Sequence, residues 1–244
     1  MSDETLIFGI NPVLSLLQEG QRPVEALFAL REEGRRLRQI LELARDKGVL
    51  VRLVDRIALD RLVKGGVHQG VAARVTPRRQ PDWDEILERL EKHRDGILVI
   101  LDGVEDPRNL GAVLRSAEAF GAMAVVLPKD RTAPLSGVAV KASAGAAERL
   151  DLVRVTNLAR SLDQLREVGY WVIGLDGEAS QSIGETNLKG GIALVLGGEG
   201  KGLRRLTREK CDTLAAIPMV GQTGSFNLSV AAAIALYECR RQRG

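Results

Sequence analysis

The stretch from Ile97 to Leu127 constrains the fold of this chain more than any other. Ile97 to Leu101 is short, wholly apolar and partly β-branched, as a strand buried on both faces would be. Turn chemistry follows at Asp102-Gly103 and Asp106-Pro107. Leu110, Val113, Leu114 and Ala117 then fall at i, i+3, i+4 and i+7, one face of a helix. Asn109 stands just before that stripe as the expected N-cap. Gly121 is expected to end the helix, and Ala124 to Leu127 reads as a second strand. In the parallel sheet that such a βαβ unit builds, ligand chemistry gathers at the strand carboxyl ends. Asn109 and Arg115 are therefore the residues to watch. Arg115 lies off the apolar stripe. It is either a solvated helix arginine, as most arginines are, or one aimed at an anionic or hydroxyl-bearing substrate.

The remaining chain repeats the alternation. Before the central unit, strands are expected at Ala26–Leu30, Val49–Val54 and Val71–Val75, and helices at the start, with Asn11 as N-cap and Pro12 at the first helical position, over Arg35–Lys47 and over Ile57–Val63. Arg31, Arg35, Arg36 and Arg38 cluster near the first strand–helix junction. They form either a solvated helix face or a phosphate-gripping edge. Thr76 to Asp84 holds two prolines and no apolar period, so it marks a boundary. The division is a first domain over 1–76, a linker and connecting helix over 77–95, and a second domain over 96–244. After the central unit, Leu135 to Ala147 is rich in Gly, Ala and Ser, which lets backbones or a partner approach closely. Strands at 152–155, 170–175, 192–196 and 214–217 alternate with helices at 158–168 and 229–240. The fold class is α/β, with a mainly parallel sheet in the second domain.

Composition removes several classes of function. Aromatics make up 3% of the 244 residues, too few for a platform that stacks single-stranded bases. The net charge of +3 permits a polyanionic partner without demanding one. Cys211 and Cys239 lie far apart and His68 and His93 lack a carboxylate pattern, which argues against a metal centre and a Ser-His-Asp triad. Two cysteines, no signal peptide and no apolar run near the roughly 20 residues of a membrane span point to the cytoplasm.

Two further loops carry chemistry. Gly197-Gly198-Glu199-Gly200-Lys201-Gly202 resembles a nucleotide loop only superficially. A P-loop needs Ser or Thr after Gly-Lys and an earlier glycine, where this chain has Gly202 and Val195. A dinucleotide fingerprint from Gly198 would put its third glycine at Leu203. Glu199 also places an anion where a phosphate would sit. The loop is a plain tight turn, or it suits a ligand without phosphates, held by backbone groups. The second loop, Pro218 to Val230, presents Ser225, Asn227 and Ser229 in alternation with Phe226 and Leu228. One of these polar residues caps a helix; three in five exceed what a cap needs.

Together the segments Asp106-Pro107-Arg108-Asn109-Leu110-Gly111-Ala112-Val113-Leu114-Arg115, Leu194 to Gly202, and Ile217-Pro218-Met219 with Ser225 to Ala231 resemble the SpoU branch of the knotted, S-adenosylmethionine-dependent RNA methyltransferases, the SPOUT superfamily. Phe8-Gly9-Ile10-Asn11-Pro12-Val13 and Val67-His68-Gln69-Gly70-Val71 extend the resemblance to the first domain, which looks like the RNA-binding domain of bacterial enzymes that methylate guanosine 2′-oxygen in 23S rRNA. The resemblance implies a deep trefoil knot in the second domain, a homodimer with sites near the interface, and S-adenosylmethionine as methyl donor. It implies that Gly197, Gly198, Ile217, Phe226 and Leu228 line the donor pocket, with Phe226 standing where Leu is usual. It places Asn109, Arg115, Glu199, Ser225 and Asn227 at the active-site positions.

No metal is needed for such a transfer, because the donor carries the driving force. The family proposal makes Arg115 the base, yet free arginine has a pKa above about 12. The preferred role is softer: Arg115 holds phosphate and orients the ribose hydroxyl, Asn109, Ser225 and Asn227 fix the geometry, and Glu199 orients Arg115. The alternatives are the same chemistry on tRNA, and a non-catalytic RNA-binding protein that kept the fold. A nicotinamide enzyme is opposed by the failed glycine fingerprint.

Overall fold

The protein is described from a computed structural model that covers residues 5–20, 22–31, 34–76, 79–130, 132–221 and 224–244. Pro77 and Arg78 of the expected linker, and Gln222 and Thr223 of the last loop, lie outside the described residues. The chain begins with β1 (Thr5–Phe8), α1 (Ile10–Glu19), β2 (Val24–Leu30), α2 (Arg35–Asp46), β3 (Val51–Val54), α3 (Arg56–Leu62) and β4 (Val71–Val75). These strands form a sheet in the order β1-β4-β2-β3, antiparallel except for the β2–β3 pair. Leu37, Ile40, Leu41 and Ala44 of α2 turn their shared face into the core.

The start of the chain differs from expectation in two ways. The strand at Thr5–Phe8 is not announced by the sequence pattern, and its partner β4 lies far along the chain. Asn11 does not cap α1, whose N-cap is Gly9 with no side-chain cap bond. The Ile10 N–H instead donates to Gln69 Oε1 at 3.0 Å, so a distant loop satisfies the helix end.

The connecting helix α4 (Trp83–Lys92) buries Ile86 and Leu90 against the second sheet. That sheet follows as β5 (Ile97–Leu101), α5 (Pro107–Ala119), β6 (Ala124–Pro128), α6 (Gly137–Ala142), α7 (Ala146–Arg149), β7 (Asp151–Val155), α8 (Leu158–Glu167), β8 (Trp171–Leu175), β9 (Ile192–Leu196), α9 (Arg205–Glu209), β10 (Thr213–Ala215) and α10 (Leu228–Arg243). Its order is β10-β8-β9-β5-β6-β7, and every neighbouring pair is parallel. β5, β6 and β9 are buried along their whole length, which is why they read as unbroken apolar runs. The short helices α6, α7 and α9 are not announced by the sequence pattern. No helix among the described residues is long and apolar enough to cross a membrane.

The cap of α5 also differs from expectation. Asp106, not Asn109, is the N-cap, and its Oδ1 accepts from the Arg108 N–H at 2.8 Å. Pro107 occupies the first turn, where its fixed φ and missing N–H cost nothing. An aspartate followed by proline starts a helix more strongly than an asparagine with neither neighbour. Asn109 is thereby displaced into the first turn, with its side-chain amide free for another purpose.

Candidate active site

All six strands run the same way, so their carboxyl ends share one edge. There β8 ends at Leu175, β9 at Leu196, β5 at Leu101 and β10 at Ala215. A cavity of about 680 Å³ opens at this edge. That size suits a small molecule. Gly197, Gly198, Ile217, Phe226 and Leu228 all line it, as do Glu199 and Ser225. Asn109, Arg115 and Asn227 are not among its lining residues.

The glycines have definite reasons. A Cβ on Gly197 would overlap the Gly202 backbone, and one on Gly198 would approach the Gly103 carbonyl oxygen to 3.0 Å. Gly200 and Gly202 adopt φ of 76° and 63°, in the left-handed region that favours glycine. Gly198 and Gly202 pair as an isolated bridge, so the loop folds back on itself. This is more than a connecting turn, because its inner surface is a cavity wall.

A chain of polar contacts joins the three motifs. Asn109 Nδ2 donates to Glu199 Oε1 at 2.7 Å, and the Glu105 N–H donates to Glu199 Oε2 at 3.1 Å. Asn227 Nδ2 donates to Asn109 Oδ1 at 3.1 Å. Asn227 Oδ1 in turn caps α10, accepting from the Ser229 N–H at 2.9 Å and the Ser229 hydroxyl at 2.6 Å. Asn227 is thus both a helix cap and a link to Asn109. Glu199 is expected to orient Arg115; instead it binds Asn109 and the Glu105 backbone. Arg115 is exposed and makes no hydrogen bond or ion pair among the described residues. Six residues separate it from Asn109, which on a helix is about 9 Å of rise and a different face. One chain therefore does not bring Arg115 to the Asn109–Glu199 cluster.

Sequence reasoning missed several residues here. Asp102, fully buried at the end of β5, accepts from the Arg204 N–H at 2.8 Å and from Arg204 Nε at 2.7 Å. The pair ties the far side of the glycine loop to the central strand. Asp176, Glu178 and Met219 also line the cavity, and Arg208 Nε pairs with Asp176 at 3.1 Å. The rule that ligands bind at strand carboxyl ends, applied to Leu175-Asp176-Gly177-Glu178, points to that wall. Burial pushes the thiols of Cys211 and Cys239 up to about 12, which disfavours the nucleophilic thiolate at both. Among the described residues no three His, Cys, Asp or Glu side chains converge.

The parallel α/β sheet thus carries at its carboxyl edge a glycine-walled cavity and a Glu199–Asn109–Asn227 network, a frame suited to a small-molecule ligand. The sequence profile of the SpoU rRNA methylase family matches residues 96–237, and that of the RNA 2′-O-ribose methyltransferase substrate-binding domain matches residues 6–81. The chain belongs to the SpoU rRNA methylase family. It is 46% identical over 244 residues to the 23S rRNA (guanosine-2′-O-)-methyltransferase RlmB of Vibrio cholerae, covering 100% of this chain and 98% of that one. Its fold matches the SpoU methyltransferase AviRb of Streptomyces viridochromogenes in complex with AdoMet, with a TM-score of 0.81, 27% identity, and 98% and 90% of the two chains covered. The TrmH/SpoU tRNA-modifying enzyme of A. aeolicus matches 66% of this chain and 84% of its own, with a TM-score of 0.55 and 26% identity.

Proposed function

We propose that this chain transfers a methyl group from S-adenosylmethionine to the ribose 2′-oxygen of a guanosine in 23S rRNA. The observation that carries the reading is the glycine-walled cavity of about 680 Å³ with Glu199 in its lining, hydrogen-bonded to Asn109. The cradle fits the donor, because the loop from Gly197 to Gly202 walls it with closely packed backbone, so closely that a Cβ on Gly197 would overlap Gly202. Gly197, Gly198, Ile217, Phe226 and Leu228 would hold the donor by backbone groups and apolar contact. When bound, the donor supplies an electrophilic methyl group on a sulfonium. The transfer breaks the sulfonium C–S bond, leaves a neutral thioether and releases the 2′-hydroxyl proton to the RNA phosphate or water, so the task of the chain is to place the hydroxyl in line with the methyl group.

Glu199 is held through both carboxylate oxygens, so it is a fixed wall rather than a mobile acid. Asn227 holds Asn109 from the other side, and Ser225 is part of the cavity lining. A guanidinium stays protonated at any working pH. Arg115 accordingly grips an RNA phosphate and orients the 2′-hydroxyl, the group that separates RNA from DNA.

We assign residues 1–76 to RNA recognition, 77–95 to a connecting segment and 96–244 to methyl transfer. The tRNA-modifying relative aligns with a share of this chain close to that of residues 96–244. A separate first domain favours rRNA over tRNA, and with that substrate we assign the protein to the cytoplasm. We assign a trefoil knot, because α10, last in the chain, packs on α5 and on β9 in mid-sheet rather than at an edge. We assign a homodimer with its sites near the interface. Tyr237 and Val230 of α10 are 56% and 44% exposed, and Tyr237 stacks edge-on with Phe120 beside α5. A second copy there would also give Arg115 a site to serve.

The test offers labelled S-adenosylmethionine with undermethylated 23S rRNA and with tRNA, and maps the product by resistance to alkaline cleavage. Label at one 2′-oxygen in 23S rRNA supports the reading. Label in tRNA alone keeps the chemistry and overturns the substrate. No label with the donor bound would favour a non-catalytic RNA binder.

A further inference from the structure

The chemistry above does not use the small-residue run from Leu135 to Ala147. In the structure this run becomes α6 and α7, and both sides of it are occupied. One side carries α5: a Cβ on Gly111 would overlap the Ala139 carbonyl. The other side carries the first domain. A Cβ on Gly137 would overlap the ring of Phe8, at the end of β1, and one on Gly145 would lie 2.7 Å from Ser15 Oγ of α1.

Polar contacts follow the same seam. Lys141 Nζ donates to the Val67 carbonyl at 3.0 Å. Arg149 reaches Ser15 Oγ at 3.1 Å with one nitrogen and Glu118 of α5 at 2.7 Å with another. Arg22 of the first domain pairs with Glu148 of α7 at 3.2 Å, their side chains 7% and 3% exposed. Burying two charges is costly unless they stay together, and a domain swinging on a tether would separate them repeatedly. The apolar interior is also continuous: Ile7, Val13 and Leu16 share one cluster with Val140 and Ala147. Relative motion is the usual expectation for linked domains, unless their interface is large and apolar.

We propose that α6 and α7 are a rigid seat that fixes the RNA-recognition domain against α5, and that Arg22, Glu148, Lys141 and Phe8 are positioning residues that select the nucleotide to be methylated. The proposal rests on the reading of the chain as an RNA methyltransferase. α5 bears Asn109 and Arg115, so a displacement of the docked domain moves the RNA relative to those groups. A misplacement of about 1 Å can cost a reaction roughly a hundredfold. The distance from docked RNA to reacting hydroxyl is set by packing, not by linker length.

The experiment uses the full chain. Spin labels on Arg61→Cys and Arg160→Cys, both exposed, report the distance between the domains. The otherwise unaltered chain should give one narrow distance distribution. Arg22→Glu should broaden it, lower kcat/KM for 23S rRNA roughly tenfold or more and spread label over neighbouring nucleotides, with S-adenosylhomocysteine affinity unchanged. Adding Glu148→Arg to Arg22→Glu should recover much of the loss, which no general destabilisation would do. Lys141→Met probes the seam without burying a new charge and should shift the same readouts less. A broad distribution in the unaltered chain overturns the seat. So does Arg22→Glu that keeps a narrow distance, full turnover and the original nucleotide. If the unaltered chain methylates no RNA, the functional reading fails, and the distance measurement still decides whether the seat exists.

Discussion

The glycine loop and the outer turns of α5 serve one proposed site but are held in opposite ways. Glu199 is bonded through both oxygens, Asn109 through both ends of its amide, and Asp102 locks Arg204 behind the loop. Arg115 has no such partner among the described residues and stands in solvent. On the proposed function, the difference separates two jobs. A donor pocket gains from being complete before its ligand arrives, because nothing then has to be ordered on binding. A group that grips RNA phosphate gains from staying unpaired, because an internal carboxylate would compete for it.

The largest effect expected from this contrast is on turnover. Arg115→Ala should lower kcat about 10²- to 10³-fold, the usual loss when one charge-stabilising group is removed from a site. S-adenosylhomocysteine affinity, read by calorimetry, should not change. Donor binding lost together with turnover would break the contrast, since Arg115 would then belong to the pocket. On the other arm the pattern inverts. Gly197→Ala forces a Cβ into the Gly202 backbone. Overpacking costs about 1–3 kcal/mol, so donor affinity should fall roughly 5- to 150-fold at that cost. Retained affinity would mean that the loop opens easily and is not preformed.

The two arms were also unequally legible in the sequence. The wired arm rests on β5 and β9, whose unbroken apolar runs announce a doubly covered parallel sheet. The glycine loop failed both nucleotide fingerprints, and its backbone crowding at Gly202 accounts for the glycine at 197. The locks were not legible. Asp102 and Arg204 are 102 residues apart, and an isolated Asp-Gly reads as a turn. Asn109 looked like a cap because asparagine before an apolar stripe usually is one. The stronger Asp106-Pro107 start displaced it and released its amide to Glu199. β1 escaped for a similar reason: four residues gain strand character only when β4 pairs with them. On the open arm, no local signal could decide between a solvated Arg115 and a functional one, because both are exposed.

Asn227 sits where structure and site meet, and substitutions there sharpen the distinction. Its Oδ1 caps α10, while its Nδ2 donates to Asn109. Asn227→Ala should cost about 1 kcal/mol of stability as a lost cap, together with turnover. Asn227→Asp keeps the acceptor, and its negative charge suits a helix N-terminus, so stability should stay near that of the parent. Yet Asn227→Asp cannot donate to Asn109, and its turnover should still fall. Equal turnover in Asn227→Asp and the parent would reduce Asn227 to a cap.

The smallest expected effect tests how firmly the wired arm is packed. Cys239 is buried on α10, and burial pushes its thiol from 9.0 up to about 12. Between those values the unfolded chain has lost the thiol proton and the folded chain has kept it. The folded state then binds more protons, so stability falls as pH rises. The contribution is fully present below pH 9 and drains away towards pH 12. At pH 9 the loss from this thiol is only about 0.4 kcal/mol, half-ionisation of the unfolded state being worth RT ln 2. Urea unfolding at pH 8 to 10 should show a slope that flattens in Cys239→Ala, and the folded parent should resist thiol alkylation at pH 8. Rapid alkylation there would mean that α10 opens readily. The cap at Asn227, the Asn109 contact and the cavity wall at Leu228 would then be fluctuating features, and the contrast between a preformed arm and an open one would not hold.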